Sequence, residues 1–99
     1  MEASNDPNLL VLVSLAAAPR HGHAILLDVA EFAGVRLGPG TLYGAIGRLE
    51  ADGLIEPMPP DGRRRPYRIT PRGRSFLGER LGGLHAAVRT GLRRLEASA

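Results

Sequence analysis

The chain reads as mainly α with a small β-hairpin, and three observations predict it. Prolines that follow a capping residue, at Asp6-Pro7, Gly38-Pro39 and Thr70-Pro71, mark helix starts. Proline at the first helical position lacks only an N–H that has no partner there anyway, and its fixed φ suits the helix. Apolar residues recur at helical spacing in four segments. Between the third and the fourth the period shortens to that of a strand, on both sides of an Asp61-Gly62 pair of the kind that turns hairpins.

The first helix spans about Pro7 to Ala17, and Pro19 closes it, since the residue before proline is pushed out of the α region. Leu9, Leu10, Val11, Leu12, Val13 and Leu15 make it apolar on nearly every side, so more than one surface must cover it. The second helix spans about Gly22 to Ala33, with Ile25, Leu26, Val29, Ala30 and Phe32 on its apolar side and Gly34 as its stop. The third spans about Pro39 to Asp52. Its Leu42, Ala45, Ile46 and Leu49 face inward, and Gly53 ends it.

Leu54 to Met58 then reads as a short strand, demoted to an edge by Pro57. Pro59-Pro60-Asp61-Gly62 is the turn, and Arg64 to Thr70 is the return strand. The last helix runs from Pro71 to about Ala97. Leu77, Leu81, Leu84, Val88, Gly91 and Leu95 form a heptad-like seam along it, with Leu92 beside them. Gly78, Gly82, Gly83 and Gly91 lie in its interior, and each costs about 0.8–1.0 kcal/mol relative to alanine. Such a helix needs a packed partner. An over-apolar first helix and a weak last helix both point to a homodimer, with Leu9, Leu12, Val13, Leu77, Leu81, Leu84, Val88 and Leu95 at its interface.

Three helices, a hairpin and a long helix make the winged helix-turn-helix arrangement plus a C-terminal helix, a module associated with DNA binding. Residues 1–71 would form the DNA-binding domain, with helix 1 also in the dimer interface, and 72–99 the dimerisation helix.

Composition narrows the function. The chain has 99 residues and no cysteine, which excludes a disulfide framework and thiolate metal sites. The N-terminus, Met-Glu-Ala-Ser-Asn-Asp, is acidic and lacks the basic region of a secretory signal. The longest mostly apolar run, Leu9 to Ala18, is about half a membrane span. A soluble, cytoplasmic chain with no membrane partner is expected. All 13 basic residues are arginine. Residues 1–61 hold three of them against eight acids, whereas residues 62–99 hold ten against two, so the net +3 hides a segregation. Enrichment of arginine over lysine follows from a GC-rich genome, but its segregation points to a polyanion or an acidic partner near the C-terminal third.

The stretch from Arg20 to Leu77 resembles the PadR family of bacterial transcriptional regulators. The resemblance rests on His21-Gly22-His23-Ala24-Ile25, on Gly40 to Glu50 through helix 3, on Asp52-Gly53-Leu54-Ile55, and on Gly62 to Gly73 through the wing. It implies a homodimeric repressor whose recognition helix enters the major groove of double-stranded DNA and whose wing meets the neighbouring backbone. It also implies dimerisation through the C-terminal region. Some members bind flat hydrophobic compounds between subunits, and others sense phenolic acids. His23 stands where the family usually has tyrosine, and with no tryptophan in the chain an inter-subunit tryptophan clamp does not carry over.

On DNA, the outward face of helix 3 is Gly40, Gly44, Gly47 and Ala51, nearly bare of side chains. Thr41 and Tyr43, near its N-terminal end, are the candidates for base or phosphate contact; Tyr43 could instead pack against helix 2. Arg48 reads either as a DNA contact or as an i,i+4 ion pair with Asp52. Arg63, Arg64 and Arg65 follow the wing turn, where guanidiniums can enter a narrow minor groove or neutralise phosphates; a charge run can also be a merely solvated wing. Arg65 shares strand parity with Tyr67 and Ile69 and so can fold back. His21 and His23, two residues apart, do not share one helical face, and no zinc motif is present. Ser14 and Ser75 have no paired base and no phosphate loop is seen, so neither catalysis, nor a metal, nor a cofactor is expected. Two further readings stay open: a winged-helix module that docks an acidic protein, and a sensor of hydrophobic small molecules in a pocket walled by Leu9, Leu12, Val13, Leu84 and Val88.

Overall fold

The computed structural model describes residues 6–98; the N-terminal segment read against a secretory signal lies largely outside them. Among these residues four helices form: α1 (Pro7–Ala17), α2 (Gly22–Ala33), α3 (Pro39–Ala51) and α4 (Pro71–Ala97). Three of these starts carry a side-chain cap; at α3 the N-cap is Gly38, which has no side chain to supply one. The Asp6 carboxylate accepts from Asn8 N–H at 3.0 Å, and the Thr70 hydroxyl accepts from Gly73 N–H at 2.9 Å. At α2 the cap is His21, whose Nδ1 accepts from Ala24 N–H at 3.3 Å. Gly34 ends α2 at φ 67°, in the left-handed region.

The strands are β1 (Arg20–His21), β2 (Ile55–Pro57) and β3 (Pro66–Ile69), in the antiparallel order β1-β3-β2. The predicted hairpin is therefore one side of a three-stranded sheet. The extra strand, β1, pairs Arg20 with Tyr67 and His21 with Pro66. Two residues between Pro19 and Gly22 are too few to show any periodicity. The predicted edge character of the Pro57 strand holds, since β2 is an outer strand. The wing tip lies one residue later than expected. Asp61 and Arg64 exchange backbone hydrogen bonds at 2.8 and 3.0 Å, so Gly62 and Arg63 are the central turn residues. Gly62, at φ 64°, supplies the positive φ that a tight hairpin turn needs first.

α1 is the centre of the core. It packs against α2, α3, α4 and β3, and Val11, Leu12 and Leu15 are at most 1% exposed. Its all-round apolarity is thus satisfied within one chain rather than by a second copy. This corrects part of the expected dimer interface. Leu9, Leu12 and Leu77 are 6%, 0% and 5% exposed and belong to the protomer's own core, so they offer little surface to a partner. Val13 and Leu84 are half-buried against that core, whereas Leu81, Val88 and Leu95 are exposed.

The first turns of α4 belong to the body as well. A Cβ on Gly73 would lie 2.0 Å from the Leu54 carbonyl oxygen, which is how closely α4 approaches the chain leading into β2. Arg80 reaches back to the Asp6 carboxylate at 3.2 Å, which gives a local reason for a basic residue in the N-terminal half of this helix. Beyond Leu84 the helix runs free of the body. The radius of gyration is 15.2 Å, where a compact chain of this length has about 13 Å.

Candidate nucleic-acid interface

α3 buries Leu42, Ala45, Ile46 and Leu49, as its spacing predicts, and this fixes which side faces out. Thr41 is exposed in its first turn, and Tyr43 is 54% exposed. The Tyr43 ring lies across the start of α2: a Cβ on Gly22 would meet its hydroxyl at 2.4 Å. Tyr43 therefore both packs on α2, through the one residue small enough to admit it, and presents its edge to solvent.

The wing arginines differ from one another. Arg63, at the turn, makes no side-chain hydrogen bond among the described residues. Arg64 lies with Nη1 3.3 Å from His21 Nε2. Arg65 folds back along the wing and donates to the Met58 carbonyl at 2.9 Å, as its parity with Tyr67 suggested. Pairing of β1 with β3 brings these elements together. His21, Gly22, His23, Tyr43, Arg63, Arg64, Arg65 and Tyr67 line one open groove of about 240 Å³. Burial, and then the Glu50 carboxylate, push the Tyr67 phenol above its ordinary pKa, so at neutral pH it is an uncharged wall of that groove.

Arg48 stands apart. It does not pair with Asp52; its Nη2 donates to the Asn8 side-chain oxygen at 3.1 Å, tying α3 to the start of α1. The close packing of α1 on α3 offers a neighbour from 40 residues away in place of the helical one. Gly44 lies beneath this side chain and is half-buried, while Gly40, Gly47 and Ala51 are exposed. Chemically the groove gathers three guanidiniums, two imidazoles and two phenols around a shallow concavity. It suits an anionic, elongated ligand. His21, Gly22, His23 and Tyr67 were not read from the sequence as part of such a site. The signal was present in the His21-Gly22-His23 block, but its meaning depends on β1. Among the described residues no three His, Cys, Asp or Glu side chains gather as a metal site, and no helix is long and apolar enough to cross a membrane.

The model of the Transcriptional regulator PadR-like family matches residues 11–79. The chain belongs to the PadR-like family. It is 50% identical over 74 residues to an uncharacterized 37.1 kDa protein in transposon TN4556 of Streptomyces fradiae, covering 75% of this chain and 21% of that one. It is 51% identical over 62 residues to Transcriptional regulator Rv3488 of Mycobacterium tuberculosis (strain ATCC 25618 / H37Rv), covering 60% of this chain and 57% of that one. The chain thus spans 21% and 57% of the lengths of these curated relatives. In fold it is similar to a PadR family transcription regulator from hypervirulent Clostridium difficile R20291, with a TM-score of 0.80, 23% identity, and coverage of 90% of this chain and 97% of that one. PadR-like proteins are transcriptional regulators, and the winged-helix fold predicted from the sequence is the fold observed.

Proposed function

We propose that this PadR-like protein is a homodimeric repressor that binds a pseudo-palindromic site on double-stranded DNA. The observation that carries the reading is the shared groove, in which Tyr43 of α3 and Arg63, Arg64 and Arg65 of the wing lie side by side. In this reading α3 enters the major groove, with Thr41 and Tyr43 nearest the base edges, and the wing arginines lie along the adjacent backbone. The glycine-rich outer face of α3 lets the helix axis come close to the groove floor. Arg48, held on Asn8, serves chiefly to fix α3 against α1, and reaches DNA only by leaving that bond.

The second copy is proposed on α4. Leu81, Val88, Leu92 and Leu95 are 42%, 58%, 59% and 69% exposed along one helix. Large contiguous apolar surface on a small protein marks an interaction face. The helix interior also carries glycines beside which nothing lies within 4 Å, so it has little stability of its own. A second α-helical surface over this stripe remedies both. The hydrophobic-sensor pocket has less support, because Leu9 and Leu12, two of its expected walls, are closed into the core.

Footprinting on the DNA upstream of the chain's own gene tests the proposal. Two protected half-sites about one helical turn, roughly 34–36 Å, apart are expected. A single unpaired site, or protection spread evenly along the fragment, would refute it.

A further inference from the structure

His21 occupies a position that ordinary hydrogen bonding cannot satisfy from within the protein. Its Nδ1 faces Ala24 N–H at 3.3 Å, and its Nε2 faces Arg64 Nη1 at 3.3 Å. Both neighbours are donors. A neutral imidazole has one acceptor nitrogen and a protonated one has none, so His21 cannot accept from both. The cap decides which bond is made. Ala24 N–H is a first-turn amide with no intrahelical partner, and His21 Nδ1 is the acceptor it has; the Arg64 guanidinium is exposed and keeps its water. With Nδ1 accepting, the proton sits on Nε2. That nitrogen and the Arg64 guanidinium are then two donors 3.3 Å apart with no acceptor between them.

We propose that His21 Nε2–H and Arg64 together form a binding site for one phosphate oxygen of the DNA backbone, the helix cap holding the imidazole in the donor tautomer. The proposal rests on the DNA-binding reading and deepens it. A phosphate oxygen supplies the shared acceptor that both groups lack, and hydrogen bonds to a charged acceptor are the strong kind. The place is suitable: both side chains line the groove that holds Tyr43, Arg63, Arg65, Tyr67 and His23, and among the described residues no carboxylate lines it. His21 is thus the link between wing and helix-turn-helix, placed on β1 so that the backbone contact of the wing and the start of α2 address the same phosphate.

The test combines tautomer and chemistry. Nitrogen-15 NMR of the 99-residue chain without DNA should show the proton of His21 on Nε2; a proton on Nδ1 overturns the proposal whatever the DNA does. A duplex that the wild type binds is then scanned with single methylphosphonate substitutions, which remove one phosphate charge at a time. His21→Ser keeps a capping oxygen and removes the Nε2 donor, so its thermal midpoint should match the wild type while DNA affinity falls about tenfold. Arg64→Ala should also lose affinity, and one and the same methylphosphonate position should become silent in both variants. Different silent positions, or full affinity for His21→Ser, overturn the proposal alone. Failure of the wild type to bind any duplex overturns the DNA-binding reading and this one with it.

Discussion

Gly22→Ala separates the placement of Tyr43 from the stability of the fold. Gly22 has a negative φ, so alanine is allowed on the backbone, and it opens α2, where alanine is a better residue than glycine. The added methyl, however, would lie 2.4 Å from the Tyr43 hydroxyl and 2.8 Å from the ring carbon that bears it. Ordinary contact is about 3.5 Å, so the ring tip must retreat by about 1 Å. The ring is 54% exposed and free to swing outward, which keeps the structural cost small. Folding stability should change by less than about 1 kcal/mol, because the gain in chain entropy and the lost ring contact oppose each other. DNA recognition should not be spared. A good side-chain contact to a base edge discriminates by about 1–3 kcal/mol, so affinity for the preferred site should fall about 5- to 150-fold. Binding to unrelated duplex should hold. Fluorescence anisotropy with preferred and scrambled duplexes, beside thermal melts, reads both effects. Tyr43→Ala is the reference for complete loss. If Gly22→Ala binds the preferred site as the wild type does while Tyr43→Ala fails, placement of the ring by Gly22 is wrong. If both bind normally, Tyr43 has no role on DNA.

Other consequences follow from single contacts. Gly73→Ala puts a methyl 2.0 Å from the Leu54 carbonyl and 2.8 Å from Ile69 Cγ1, neither of which can yield far; it should destabilise the fold by about 1–3 kcal/mol in denaturant unfolding. Val88→Glu with Leu92→Glu alters only exposed side chains, so the protomer should stay folded; if α4 joins two copies, sedimentation should show the dimer constant weakened at least 100-fold, on the order of 3 kcal/mol of lost apolar burial. Tyr67 in Tyr43→Phe is the remaining tyrosine, and its ultraviolet titration should lie above 10.0, the ordinary phenol value. Because its folded pKa is raised, the stability it contributes is complete below the unfolded value and is lost as pH rises through the folded one. Tyr67→Phe should therefore lessen alkaline destabilisation above about pH 10.

The helices were legible because their signals are local. Asp6, Gly38 and Thr70 each stand before a proline, and Gly34 stands where α2 must stop, so the starts of α1, α3 and α4 and the end of α2 needed no tertiary information. The site was legible only in pieces. Tyr43 and Arg63 to Arg65 can be read from position and charge, but their common groove depends on β1, two residues whose pairing with β3 leaves no trace in periodicity. Arg48 shows the same limit. Asp52 is its natural partner along the helix, and Asn8 takes its place only because α1 lies alongside α3. The proposed dimer face was half legible for a related reason. An apolar helix announces that it must be covered, yet the sequence does not say by whom; α1 is covered by its own chain, and the outer half of α4 is not.

Salt dependence of duplex binding tests the central claim most directly. If a dimer neutralises about six phosphates, log K should fall with log salt at a slope near −5. Arg63→Ala with Arg64→Ala removes four guanidiniums from such a dimer and should bring the slope to about −2. A wild-type slope near zero, or one that the double substitution leaves unchanged, would contradict a wing that lies on the DNA backbone.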